Sequence, residues 1–208
     1  MNVHDQKLLS VESLKVYFRG RRTLARAVDG VSFHVVGGET VCIVGESGCG
    51  KTVTALSLLG LIPRPPGEIA GGRAVFKGQD LLTFSDLQMQ GVRGAQIAMV
   101  FQEPMTSLNP VFRVGAQIEE TIVAHEKVTT QTARKRAVSL LEDVGIAEPE
   151  KRHHDYPHQL SGGQRQRVMI AMALACNPDL VIADEPTTAL DVTVQAQILR
   201  LFAKLQSD

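Results

Sequence analysis

From roughly Leu8 to Val36 apolar and polar residues alternate, with Leu14, Val16 and Phe18, then Val31, Phe33 and Val35, at every second position. A period of two with turn-formers between the runs predicts antiparallel strands, and Gly37-Gly38 ends them. Thr40-Val41-Cys42-Ile43-Val44 is instead continuously apolar, which predicts a strand covered on both faces. A glycine-rich turn and a helix over Thr54–Ile62 follow, giving the first half of a βα unit. Pro63–Gly72 holds three prolines and three glycines and is expected to be a loop. Ala74–Phe76 and Ile97–Phe101 then read as short strands.

From Val114 to Gly145 the period lengthens to that of a helix. Ala133, Ala137, Val138, Leu140, Leu141 and Val144 fall on one face, and Arg134, Lys135, Arg136 and Glu142 lie off it. The last third predicts a helix from Ser161, a buried strand Leu180–Ala183 and a helix from about Val192. Helices inserted between strands make the class α/β with a parallel core sheet, preceded by an antiparallel β region.

Composition narrows the partners. The 208 residues carry 22 Lys plus Arg against 22 Asp plus Glu, so the chain has no net positive field for a polyanion, and no nucleic-acid partner is expected. One domain over 1–208 is the default at this length. The longest apolar runs are too short to cross a bilayer and the polar N-terminus lacks a signal-peptide core, so the expected location is cytosolic. Cys42, Cys49 and Cys176 are odd in number and have no paired metal spacing, which fits a reducing compartment. The six histidines, His4, His34, His125, His153, His154 and His158, read as surface residues.

Candidate chemistry begins at Gly45-Glu46-Ser47-Gly48-Cys49-Gly50-Lys51-Thr52, which fits the phosphate-loop pattern and stands between a predicted strand and helix, as that pattern requires. Glycines there let backbone N–H groups converge on phosphate oxygens, and the helix N-terminus adds partial positive charge. Lys51 is expected to reach the β and γ phosphates and the Thr52 hydroxyl to bind Mg²⁺. The plain alternative is a glycine-rich turn. Cys49, near a helix N-terminus, is a candidate reactive thiol or merely a small residue tolerated among glycines.

A second candidate is Asp184-Glu185, two acids closing the apolar run Leu180–Ala183, at the carboxyl end of a strand where α/β proteins bind ligands. Asp184 is expected to be a Mg²⁺ partner through water, and Glu185 the general base that polarises the attacking water. A solvated strand end is the alternative.

Leu160-Ser161-Gly162-Gly163-Gln164 resembles the signature of ATP-binding cassette (ABC) ATPases in all five letters. Ser161 is suited to cap the following helix while Gly162 and Gly163 expose backbone N–H groups, a second anion site distinct from the phosphate loop. In the family, the signature of one domain closes on ATP held by the phosphate loop of its partner, so the resemblance implies a head-to-tail dimer around two ATP. It further implies that Gln102 is the Q-loop glutamine touching Mg²⁺ and linking the site to membrane subunits. Ala189-Leu190-Asp191 resembles the D-loop, with Asp191 at the nucleotide. Phe18, or alternatively Tyr17, is the expected adenine platform. The helical subdomain is expected over about 103–160.

The stretch Phe101–Pro110 and Tyr156-Pro157-His158-Gln159 resemble the peptide, nickel and glutathione uptake group of ABC importers. That implies an ATP-hydrolysing motor subunit on the cytoplasmic face of a bacterial inner membrane, working with permease subunits and, indirectly, a solute-binding protein. A soluble ABC ATPase of DNA repair or translation is the alternative; a binding-only fragment is another. The family pattern also places a switch histidine on a strand beyond the catalytic glutamate. No histidine follows Glu185 in this sequence, so the C-terminal part of the domain is expected to lie outside it.

Overall fold

The structure, a computed structural model, describes residues 7–102, 107–186 and 192–207. They divide into two compact units, Met1–Gln90 and Gly91–Asp208.

In the first unit β1 (Lys7–Arg19) is flanked by β2 (Leu24–Val36) and β3 (Gly67–Phe76), with β4 (Gln79–Asp80) at the edge, all antiparallel in the order β2-β1-β3-β4. The buried residues of β1 are Leu9 and Val11, then Leu14 and Val16. That is odd positions followed by even ones, and strict alternation would place the pairs on opposite faces. A bulge between Val11 and Leu14 shifts the register, with Ser13 in the left-handed region (φ 47°) and its amide donating to Ser32 Oγ at 2.8 Å.

The same bulge explains why the expected loop Pro63–Gly72 ends early. Gly67–Gly72 belong to β3, and Gly72 (φ 96°) lies so near β1 that a Cβ would stand 2.6 Å from the Ser13 carbonyl oxygen. Gly72 marks close approach of two backbones, not a turn. After β2, α1 (Lys51–Leu58) begins three residues earlier than its apolar pattern suggests and is closed off at Gly60 (φ 61°), where the Leu61 amide bonds back to the Leu56 carbonyl. The short α2 (Asp86–Gln90) follows β4.

Thr40–Val44 is not a strand. No strand among the described residues pairs with it, and Val41, Ile43 and Val44 are 38%, 49% and 90% exposed. A continuous apolar run makes burial favourable but supplies no backbone partner, and a ladder needs one.

In the second unit β5 (Ile97–Val100) and β6 (Leu180–Ala183) pair in parallel, as expected, and the chain between them is helical. α3 (Val114–His125), α4 (Thr130–Asp143), the short α5 (Pro149–Arg152) and α6 (Gly162–Leu174) precede β6, and α7 (Val192–Ser207) follows it. Ala133, Ala137, Leu141 and Val144 are fully buried, against Ile118 and Ile122 of α3, Val168 and Ile170 of α6, and Ile198 of α7. The β6 run expected to be buried is only half-buried and Ala183 is exposed, because β5 is its one ladder partner among the described residues. Arg136, placed off the apolar face by the periodicity, is half-buried and its Nη2 donates to the Ala175 carbonyl at 2.7 Å, just past α6.

His153 departs from the surface reading: it is 6% exposed. The α3 N-cap, Arg113, supplies no side-chain bond; carbonyls stand in, with the Val114 amide donating to Asp155 O and the Gly115 amide to His153 O. Gly115 leaves room for the imidazole, which a Cβ there would strike. The ring lies 2.6 Å from Glu119 Oε1 through Nε2, while buried Nδ1 has no hydrogen-bond partner among the described residues. Burial pushes its pKa below the ordinary 6.5, with the Glu119 carboxylate opposing that shift.

A depressed histidine pKa gives a definite sign. Above pH 6.5 the ring is neutral in both folded and unfolded chain; below it the unfolded chain takes the proton first, so stability falls until the folded pKa is passed. The thermal midpoint is therefore expected to drop as pH is lowered from about 7.5 to about 5.5. The drop is expected to be shallower in His153→Gln, which keeps a donor for Glu119; parallel slopes in the two proteins would assign the acid sensitivity elsewhere.

Candidate functional site

The phosphate loop lies in the first unit. Gly48 (φ 81°) and Gly50 (φ 100°) take left-handed conformations, and a Cβ on Gly50 would collide with the Ala27 carbonyl of β2. Gly50 is thus required twice, by its dihedral and by the passing strand. At Gly45 a Cβ would stand 2.6 Å from Cys49 Sγ, so the loop closes over itself with the exposed Cys49 thiol inside its curve. Lys51 Nζ donates to the carbonyls of Gly45 at 2.8 Å and Glu46 at 3.0 Å. The ammonium, carried at the helix start, therefore reaches back to the carbonyls that open the loop. Thr52, in the first turn of α1, is exposed.

The aromatic candidates occupy neighbouring positions of β1 and have different partners. Phe18 is half-buried and its Cε1 lies 3.2 Å from the point where a Gly67 Cβ would stand. The Tyr17 hydroxyl donates to Asp29 Oδ1 at 2.7 Å, and Arg26 sits 5.7 Å over the Tyr17 ring. That hydrogen bond holds the Asp29 carboxyl below its usual range and the Tyr17 phenol above its own.

In the second unit the ladder itself assembles the candidates. Val100 pairs with Ala183, so two residues further along each parallel strand come Gln102 and Glu185. Gln102 Nε2 donates to Glu185 Oε2 at 3.0 Å. Asp184 is 8% exposed and its amide donates to the Val100 carbonyl at 2.9 Å, extending the ladder by one rung. Glu185 then turns left-handed (φ 46°), a conformation unusual for a non-glycine residue and characteristic of sites that aim a side chain.

The signature opens α6 as a capping box. Ser161 Oγ accepts from the Gln164 amide at 3.3 Å, and Gln164 Oε1 accepts from the Ser161 amide at 2.9 Å. Gly162 and Gly163 are half-exposed, not interior, and a Cβ at Gly162 would meet only open space. Asp191 and the rest of the expected D-loop, and Glu103–Thr106 of the Q-loop, lie outside the described residues.

Sequence reasoning missed Gln166. Two residues past the signature it is 1% exposed and its Nε2 donates to the Pro186 carbonyl at 2.8 Å. A readable signal existed: a lone amide beside the apolar run Val168–Ala171, where an unpartnered polar group would be costly. Among the described residues no group of three or more His, Cys, Asp and Glu is placed to hold a metal.

These parts have relatives. The ABC transporter family model matches residues 28–188. The chain is 56% identical to a probable peptide ABC transporter ATP-binding protein of Sinorhizobium fredii over 199 residues, 96% of this chain and 59% of that protein. It is also 56% identical to the oligopeptide transport ATP-binding protein OppD of Bacillus subtilis, over 96% of this chain and 56% of that one. The chain thus spans about three-fifths of the length of such curated relatives. Among solved structures, the dimeric ATP-binding cassette MJ0796, in a post-hydrolysis state bound to ADP and Pi, superposes with a TM-score of 0.84 at 28% identity, covering 95% of this chain and 82% of that one. CbiO1 of Clostridium perfringens, part of an ABC transporter complex, superposes with a TM-score of 0.78 at 27% identity, covering 98% of this chain and 75% of that one. With the family model matched across both units and close relatives over nearly the whole sequence, the chain belongs to the ABC transporter family.

Proposed function

We propose that this chain is the ATP-binding and ATP-hydrolysing motor of a bacterial ABC importer for peptides or similar small solutes. The observation that carries the reading is the meeting of Gln102 and Glu185 at the ends of two parallel strands, in a chain that also bears a phosphate loop and a signature helix. The names of the relatives, peptide, oligopeptide and dipeptide transport proteins, favour transport over DNA repair or translation. No helix among the described residues is long and apolar enough to cross a membrane. Attachment to the cytoplasmic face of the inner membrane would therefore run through permease subunits, with a solute-binding protein acting on those subunits.

In this reading the amides of Gly45–Thr52 and the Lys51 ammonium grip the triphosphate, with Lys51 exchanging two carbonyl acceptors for phosphate oxygens. Phe18 or Tyr17 stacks on the adenine. Thr52, Gln102 and Asp184 offer a hydroxyl, an amide oxygen and a carboxylate, hard donors that suit Mg²⁺. Thr52, Gln102 and Asp184 would hold the ion, which would supply neutralisation of the phosphate charge during transfer. Glu185 orients the attacking water and takes up its proton, the role a carboxylate held at a strand end is suited to. Ser161–Gln164 and Asp191 close on the nucleotide of a partner domain, so two ATP are held in a head-to-tail dimer. Closure drives the permease through the Q-loop surface, and hydrolysis resets it.

Glu185→Gln, made in the intact gene product, is expected to retain ATP binding and to lose hydrolysis by on the order of a hundredfold or more. Near-normal phosphate release by that variant would remove Glu185 from its role. Alkylation of the exposed Cys49 thiol is expected to weaken ATP binding, with Mg-ATP slowing the modification. Mass spectrometry that found equal labelling of Cys49 with and without Mg-ATP would place the nucleotide elsewhere.

A further inference from the structure

Glu185 holds an unfavourable backbone geometry. It is a non-glycine residue at φ 46°, and the proline after it biases that position toward extended conformations. Such a turn persists only where its surroundings fix it from several sides. Upstream, the Asp184 amide is tied to the Val100 carbonyl. The side chain itself is met by Gln102. Downstream, the Pro186 carbonyl is held by Gln166 Nε2 at 2.8 Å. That bond comes from a side chain 1% exposed to solvent, set in the helix stretch where Val168, Met169 and Ile170 are also buried. An amide shut away in that setting has little freedom to find another acceptor, so the bond is a fixed strut.

The strut also has a particular origin. Gln166 lies four residues after Gly162, and positions i and i+4 of a helix lie one above the other on the same face. The helix that offers signature amides at its first turn therefore grips the Glu185 turn with its second. The N-terminus of α6 and Pro186 are thus linked through a single helical turn and one hydrogen bond.

We propose that Gln166 is a positioning residue for hydrolysis: it fixes the Glu185–Pro186 turn and so couples engagement of this chain's signature, on a partner's nucleotide, to alignment of this chain's own Glu185. The proposal rests on the ATPase reading above. It assigns no contact between Gln166 and nucleotide; Gln166 acts through the Pro186 carbonyl alone.

The test replaces the donor while keeping the volume, with Gln166→Leu and, as a second packing solution, Gln166→Met, each in the intact gene product purified with its co-expressed partners. Both variants are expected to keep the wild-type KM for ATP within about twofold and to lose about tenfold to a hundredfold in kcat, the scale on which small misplacement of a reacting group acts. In a Glu185→Gln background, Gln166→Leu is expected to cause no further loss, because its effect is exerted through that carboxylate. Amide hydrogen exchange at Glu185 is expected to rise in both variants while β5 and β6 keep their protection.

A kcat at the wild-type level in a folded variant would overturn the proposal. So would a further loss in the Glu185→Gln background as large as that in wild type, and so would unchanged exchange at Glu185. A wild-type protein that binds but does not hydrolyse ATP would instead overturn the ATPase reading, and the exchange measurement would still decide whether Gln166 holds the turn. If Gln166→Leu fails to fold, Gln166→Met carries the same comparisons.

Discussion

Four residues of parallel ladder set the geometry on which the candidate chemistry depends. Ile97–Val100 and Leu180–Ala183 pair without a register shift, and the Asp184 amide adds one more bond to Val100. Parallel strands run their carboxyl ends out on the same side, so whatever follows each strand is delivered to the same place. Here that is Gln102 from one strand and Glu185 from the other, 3.0 Å apart despite 83 residues of separation. A one-residue slip would turn each side chain to the opposite face of its strand. The helical segment between the strands secures the register from outside. Ala98 and Val100 share one buried cluster with Ile118, Ile122, Val168 and Ile170, so sliding β5 past β6 would also open that core.

The phosphate loop is stabilised by a different means, since it has no ladder. Its positive-φ glycines expose backbone, the Lys51 ammonium spans two of its carbonyls, and Gly50 is held tightly under the Ala27 carbonyl. A loop whose own carbonyls satisfy its lysine is already shaped before any anion arrives, which lowers the ordering cost of binding. In the proposed reading, the phosphate oxygens would replace the neutral Gly45 and Glu46 carbonyls as acceptors for a charged donor.

Much of this was legible in the sequence, and the failures share a cause. The helical period placed Ala133, Ala137, Leu141 and Val144 in the core, where the structure has them, because it is a local pattern read over a few turns. Thr40–Val44 failed because a strand is defined by its partner, and apolar continuity says nothing about one. Pro63–Gly72 failed because glycine has two uses, turning a chain and letting another chain come close. Only the bulge at Ser13, itself hidden in an ordinary alternation, shows that Gly72 serves the second. His153 was missed for the same reason as Gln166: each is a buried polar group whose partner lies far along the chain, 34 residues away at Glu119 and 20 at Pro186.

The signature glycines can be separated by the same geometric question. A Cβ at Gly163 would stand 3.0 Å from Val194 Cγ1, so the packing of α7 against the start of α6 already accounts for that glycine. At Gly162, the first residue of α6, a Cβ would meet nothing among the described residues. The cap does not require it either, since Ser161 and Gln164 satisfy each other's amides. Among the described residues no packing contact asks for glycine at 162. The proposed reading of this segment as an anion site built from backbone amides would supply a reason for glycine there, since a ligand could then approach the backbone more closely than a methyl group would allow.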